Sequence, residues 1–298
     1  MKKWRLHILA TLVSLCIFFV LFELGLRILH IGQVVEYVTD ARWGYLMKPS
    51  QDVSTYGHSV HINSVGLRGP ELAEEKPANR MRILFVGDSV TFGGTRIRED
   101  ELFVRQTEQR LAAKGHLVEA VNVAAPGWSP QNWIEYITNR GLDDADVVVL
   151  TLPECDLGRP FSTLNTFGFT ENAPLFRVQS VFGYLINAYV HPVAADGPIG
   201  TETDFSKNVA AVSRLLELAR NRSIPAIVVF TPSVPSSAHA PLWPRFSVLV
   251  DNPVDLRQQL RDKKYFMDGV HLNPSGHAYV ADVISGEIDS RVSGSISK

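Results

Sequence analysis

Hydrophobic and polar positions divide the chain into three stretches. The first is apolar all round: from Ile8 to Phe22 no residue is charged, and only Thr11 and Ser14 are polar. Counted from Leu6 with His7 neutral, the uncharged run is 17 residues long, the short end of a membrane span. A helix without a polar stripe fits a span better than a surface position. Lys2, Lys3 and Arg5 precede the run, and Arg27 is the next strong positive charge after it. That bias puts the N-terminus in the cytoplasm and residues 30–298 on the far side of the membrane. Glu23-Leu24-Gly25-Leu26-Arg27 makes a poor cleavage site, and Leu15 before Cys16 does not suit a lipoprotein. The segment 1–30 therefore reads as an uncleaved signal anchor.

The second stretch, 31–80, holds no long helical pattern. YGHSVHINSVGLRG alternates loosely around Gly57, Gly66 and Gly69 and reads as short strands and turns of an extracytoplasmic linker. In the third stretch, 81–298, dense apolar runs predict strands at 82–86, 118–124, 146–152 and 225–232. Helical patterns at about 98–114, 129–140, 207–222, 253–263 and 275–289 separate or follow them. Runs that are dense rather than strictly alternating are those of parallel strands covered on both faces. Alternation with helices gives an α/β class. Residues 153–200 read as an irregular insertion rich in Phe, Gly and Pro, long enough to be functional or a subdomain. Residues 233–250 read as a Ser- and Pro-rich loop with Trp243 exposed or lining a site, and the tail SGSISK as frayed.

The 298 residues carry a net charge of −2, which excludes a generally basic nucleic-acid coat; no nucleic-acid partner is expected. The 45% apolar content excludes a disordered chain. Two cysteines, Cys16 and Cys155, make neither a disulfide scaffold nor a four-cysteine zinc site, and no bond between them is expected.

Candidate chemistry gathers at three places. Gly87-Asp88-Ser89 directly follows the first strand of the third stretch, and sites form at the carboxyl ends of parallel strands. A serine there can face a cleft, with free backbone N–H groups beside it; the plain alternative is a turn capped by Asp88 and Ser89. Asp268-Gly269-Val270-His271 precedes the last helix. Its i, i+3 spacing lets the carboxylate fix the imidazole tautomer while the other ring nitrogen takes a serine proton. His277 is a weaker rival base, expected to face away inside a helical turn. Gly127, in Asn122-Val123-Ala124-Ala125-Pro126-Gly127-Trp128, can bring its N–H close to a substrate oxygen. Together with the Ser89 N–H it could form an oxyanion hole, each donor worth about 3–4 kcal/mol; a tight turn needing positive φ is the alternative. There is no GxSxG, GxGxxG, phosphate loop or HExxH. His58 and His61 have no third ligand in range, so neither metal nor cofactor is expected.

These blocks resemble the SGNH (GDSL) hydrolase family, over roughly 81–290. The leader INSVGLRGPE is similar to one in bacterial membrane-anchored members. The resemblance implies a flavodoxin-like three-layer α/β/α sandwich around a central parallel sheet. It implies Ser89 as nucleophile, His271 as base, Asp268 as orienting acid and the Gly127 N–H as an oxyanion donor. The family's Gly-x-Asn-Asp block aligns with Pro153-Glu154-Cys155-Asp156, so only Asp156 is kept. Cys155, in the position of the oxyanion amide, has only a weak S–H donor; Asn165 and Asn172 are substitutes to consider. Asp88 and Asp156 neighbour the site. The expected activity is hydrolysis of carboxylic esters, such as O-acetyl groups on an envelope or exported polysaccharide. The expected location is the bacterial inner membrane, with the catalytic body in the periplasm. Lipid esters, acyl transfer with the same triad, and a binding or assembly role with weakened catalysis are the alternatives. Trp128, Trp133 and Trp243 are candidates for a sugar- or acyl-binding wall, or for core.

Overall fold

The computed structural model describes residues 2–55, 58–73, 75–142, 144–189, 200–233, 240–248 and 250–296. In chain order the elements are α1 (Lys2–Ile28), β1 (Tyr37–Asp40), β2 (Gly44–Met47), β3 (Gln51–Thr55), β4 (His58–Ile62), β5 (Met81–Gly87) and α2 (Ser89–Phe92). They continue with α3 (Phe103–Ala113), β6 (Val118–Ala124), α4 (Pro130–Arg140), β7 (Val147–Pro153), α5 (Arg177–Tyr189) and α6 (Glu202–Asn221). The last are β8 (Ala226–Thr231), α7 (Trp243–Ser247), β9 (Val254–Asp255) and α8 (Pro274–Ile296).

Five parallel strands form the central sheet in the order β6-β5-β7-β8-β9. This is the 2-1-3-4-5 order of flavodoxin-like doubly wound sheets. Inside the dense run of β5, successive side chains still alternate between faces. Ile83 and Phe85 join a core with Phe103 and Leu111 of α3 and Ile284 and Ile288 of α8. Leu84 and Val86 join the other core, with Trp133 and Ile137 of α4 and Val212 and Leu215 of α6. Both faces are thus covered, and three layers result. The strand order reverses between β5 and β7, opening a crevice at their carboxyl ends.

The hairpins β1–β2 and β3–β4 belong to this packing. Tyr45, Met47, Val60 and Ile62 are fully buried in the same core as Leu84 and Val86. Isolated bridges Ile62↔Arg68 and Arg68↔Asn122 carry the hairpin onto the sheet edge at β6. The helix α1 has 27 residues and is long and apolar enough to cross a membrane.

Several expected elements differ. The span 253–263 is not a helix: Val254 and Asp255 pair with Val229 and Phe230 as an edge strand, and turns follow. The insertion 153–200 is not irregular throughout, since α5 lies within it. The polar segment 98–114 splits into a short 3-10 turn at Glu99–Glu101 and α3. Helix α6 starts earlier than expected, at a Thr201 cap that accepts from the Asp204 N–H. The tail is helical to Ile296. Trp243 is buried, stacked on Phe230 with centroids 3.7 Å apart. Tyr56 and Gly57 of the expected linker, residues 190–199 of the insertion, 234–239 and 249 of the expected loop, and 297–298 lie outside the described residues.

Candidate active site

The chain leaves β5 through a turn only glycine permits. A Cβ on Gly87 would sit 2.1 Å from Thr91 Oγ1 and 3.2 Å from the Thr151 carbonyl. Asp88 then caps α2, its Oδ1 accepting from the Val90 N–H at 2.8 Å. Gly93, at φ 87°, ends the helix after one turn. Ser89 is therefore the first helical residue, half-buried at the crevice, where an N–H has no partner within the helix.

Asp268 and His271 lie in the turn before α8, closed by the Met267 N–H on the His271 carbonyl at 2.8 Å and by the Phe266↔Leu272 bridge. Asp268 Oδ2 is 2.8 Å from His271 Nδ1, while its Oδ1 accepts from the Val270 and His271 N–H groups at 2.9 and 2.8 Å. The other ring nitrogen, Nε2, is 2.9 Å from Ser89 Oγ. With Nδ1–H donated to Asp268, Nε2 is the acceptor for the serine proton. Partial burial opposes the Asp268 charge, but His271 and the two N–H groups outweigh it and hold the carboxyl well below the usual range. His277 is not at the crevice. It is buried against Phe103, whose N–H donates to Nδ1 at 3.2 Å, and burial pushes its pKa down to about 3.

Gly127 sits at φ 80° beneath Phe167: a Cβ there would lie 2.4 Å from the ring. The adjoining backbone is clamped. Tyr45 Oη donates to the Pro126 carbonyl at 2.5 Å, and Trp128 Nε1 donates to the Tyr45 carbonyl at 3.0 Å. In a trans peptide the carbonyl and the following N–H point opposite ways. The Tyr45 hydroxyl thus fixes the direction of the Gly127 N–H.

Behind Ser89, three ligating atoms of Asp88, Cys155 and Asp156 lie within 4.8 Å of one another. The donor set would suit a metal, but the Arg159 guanidinium is already among them. Nη1 is 3.1 Å from Asp88 Oδ2 and 2.5 Å from Asp156 Oδ1, and Nη2 is 3.2 Å from Cys155 Sγ. Nη1 also donates to the Trp128 carbonyl at 3.1 Å. Burial, reinforced by the nearby Asp88 charge, pushes the Asp156 carboxyl up despite Arg159. Burial also opposes the Arg159 charge, but Asp156, Cys155 and Asp88 outweigh it and keep the guanidinium protonated. Cys155 is fully buried with its sulfur turned to Arg159, so it does not present a donor at the crevice. Asn165 and Asn172 are exposed on the insertion. His61 pairs with Asp52 at 2.7 Å, away from this cluster.

A cavity of about 330 Å³ opens beside His271 and Asp268, lined also by Gly32, Arg96, Ser180 and Val181. Trp128 and Trp133 are buried in the core. The aromatic side chain over Gly127 is Phe167.

No family model and no curated protein matches the chain. Solved structures do. An acetyl xylan esterase, AlAXEase, is 17% identical, with a TM-score of 0.45 over 70% of this chain and 100% of its own. The psychrotrophic esterase EstA from Pseudoalteromonas sp., inhibited by monoethylphosphonate, is 10% identical, with a TM-score of 0.46 over 71% of this chain and 98% of its own. A member of the lipolytic protein G-D-S-L family from Veillonella parvula is 15% identical, with a TM-score of 0.40 over 67% and 96%. Likenesses this distant assign no role to any residue here, and the chemistry of the site rests on its own geometry.

Three residues of the site escape a sequence reading. Tyr45 and Arg159 act on backbone carbonyls of the Gly127 turn. Arg68 is buried and donates to the carbonyls of Phe92, Gly94 and Ile97 in the loop after α2. The i, i+3 spacing of Asp156 and Arg159 is a signal for one of them. Tyr45 has none.

Proposed function

We propose that this chain is a membrane-tethered serine esterase. The observation that carries the reading is the relay Ser89 Oγ–His271 Nε2 at 2.9 Å and His271 Nδ1–Asp268 Oδ2 at 2.8 Å, which joins Ser89 to a pair 182 residues away from it at His271. Ser89 attacks the ester carbonyl while His271 takes its proton. The oxyanion faces the N–H groups of Ser89 and Gly127. His271 protonates the leaving alcohol, an acyl-serine forms, and water activated by His271 releases the acid. Asp268 keeps the imidazole in its working tautomer and stabilises the imidazolium. Cys155 supplies no third oxyanion donor, so the two backbone N–H groups carry that stabilisation.

The first substrates to test are O-acetyl esters of an envelope or exported polysaccharide. The helix α1 tethers the body to the inner membrane, with the site on the periplasmic side. Acyl transfer to a sugar hydroxyl uses the same relay, and products formed with an acceptor present distinguish it. The test is labelling of the full chain by a fluorophosphonate probe. Stoichiometric labelling at Ser89 is expected, lost in Ser89→Ala and slowed at least about 100-fold in His271→Ala. A folded chain that takes no label would refute the esterase and favour a binding or assembly role.

A further inference from the structure

The helix α5 turns apolar side chains outward as well as inward. A surface helix normally turns its apolar stripe to the core. On α5, Phe182, Leu185 and Ile186 share one face by their three- and four-residue spacing, and that face is outermost, with exposures of 59%, 42% and 46%. Ser180 and Val181, on the inner side, line the cavity next to His271. Leu175, just before the helix, is 75% exposed. Among the described residues nothing covers this face.

The start of α5 is fastened to α1. Glu23 accepts from the Arg177 N–H at 2.9 Å and the Val178 N–H at 3.1 Å, capping the helix. Arg27 donates to the Leu175 carbonyl at 2.7 Å. The Phe19 and Phe176 rings meet edge to face at 5.3 Å. Glu23 is itself buried by these contacts. The apolar surface that continues into α5 therefore begins at Leu175 and Phe176, where the chain is fastened to α1 at Phe19 and Arg27.

We propose that the Phe182–Leu185–Ile186 face of α5 lies in the outer interface of the bilayer that α1 crosses, with lipid as its cover. An interfacial helix buries an apolar face at the boundary between headgroups and acyl chains and keeps its polar face toward water. A protein partner would not require the face to be continuous with a membrane-spanning helix; lipid does. One consequence rests on the esterase reading: the cavity between Gly32, α5 and His271 opens at the lipid surface. The natural ester is then carried on a molecule held at the membrane rather than on one free in solution.

The placement can be tested without any activity. In the full chain with Cys16→Ala, Ile186→Cys is labelled with an environment-sensitive fluorophore; Cys155 is buried, and the Cys16→Ala parent gives the background. The protein is placed in vesicles of phosphatidylethanolamine and phosphatidylglycerol, with or without nitroxide lipid spin-labelled high on the acyl chain. Strong quenching by nitroxide lipid, with little by aqueous iodide, is expected; the same label on Ser213→Cys, on an exposed position of α6, should behave oppositely. Quenching by iodide, or by neither agent, overturns the placement, the latter pointing to a second copy or another protein as the cover. The substrate consequence has its own readout. Phe182→Ser/Leu185→Ser/Ile186→Ser should keep hydrolysis of soluble p-nitrophenyl acetate within about twofold and lower hydrolysis of a vesicle-borne acyl ester about tenfold. Equal loss of both, or of neither, overturns that consequence. A wild-type chain inactive on both esters refutes the esterase instead, while the quenching result still decides where α5 lies.

Discussion

Two clusters of the same chemistry meet at Ser89, one open to solvent and one sealed. On the crevice side, Asp268 holds His271, their side chains 36% and 30% exposed. Behind Ser89, Arg159 holds Asp88 and Asp156, all three buried. Exposure decides what each carboxylate can do. Asp268 keeps its charge through His271 and two N–H groups, can be rehydrated when a partner moves, and is suited to a cycle in which His271 gains and loses a proton. Asp156 has no water to fall back on, and its carboxyl is pushed up. The buried cluster is therefore fixed: it joins the Asp88 cap to the Trp128 carbonyl, and so joins the Ser89 turn to the Gly127 turn.

This contrast predicts opposite signatures. Asp268→Asn should lower kcat by about 10³–10⁴-fold while moving the unfolding midpoint little, since the lost contact is solvent-accessible. A large loss of stability there would erase the distinction. Arg159→Met should instead act first on stability, costing about 3–5 kcal/mol because two carboxylates are left buried without their cation. Urea unfolding of the full chain in detergent checks it, and an unchanged midpoint would show that the cluster is not a fixed support. Rescue by Asp156→Asn in the Arg159→Met background sharpens the point by removing one buried charge.

The two histidines extend the same contrast. His277 has a folded pKa of about 3 against about 6.5 unfolded. Below pH 6.5 the unfolded chain therefore binds a proton that the folded chain refuses, and stability falls as pH falls until about pH 3. Between pH 7 and 5.5 this contribution is about 1 kcal/mol. His277→Asn, whose Oδ1 can still accept from the Phe103 N–H, should flatten that part of the stability profile. An unaltered slope would mean His277 is protonated in place. The smallest effect is expected from Tyr45→Phe. It loses one hydrogen bond worth about 1 kcal/mol, which should appear as a kcat loss of about fivefold at unchanged KM, because the hydroxyl aims the Gly127 N–H and touches no substrate. A change in KM alone would place Tyr45 in binding.

What could be read in the sequence follows from how each residue acts. Strands β5 to β8 announce themselves because cover on both faces demands dense apolar runs. The edge strand β9 does not: two residues placed by backbone pairing with Phe230 leave no pattern in NPVDLR. The helix α5 escapes a sequence reading because apolar residues on several of its sides blur the helical stripe, among Phe, Gly and Pro that suggest loop. Ser89, Asp268 and His271, which the fold brings within hydrogen-bond distance, can be picked out in the sequence because the roles proposed for them require particular side chains at strand ends and at a fixed spacing. Tyr45 and Arg68 cannot, because they work on carbonyl oxygens, which every residue has; Arg159 shows only through its i, i+3 spacing from Asp156.

The hairpins ahead of β5 bear on where a working unit begins. The hydroxyl that orients the Gly127 turn comes from β2, and the guanidinium that gathers the loop after α2 comes from Arg68, both upstream of Met81. A fragment cut at the first strand of the central sheet would keep Ser89, Asp268 and His271, lose both supports, and bare the core that Met47, Val60 and Ile62 cover. A self-sufficient body thus starts before Tyr37, within a few residues of the end of α1; with α1 crossing a bilayer as proposed, almost no slack would separate the proposed site from the lipid surface.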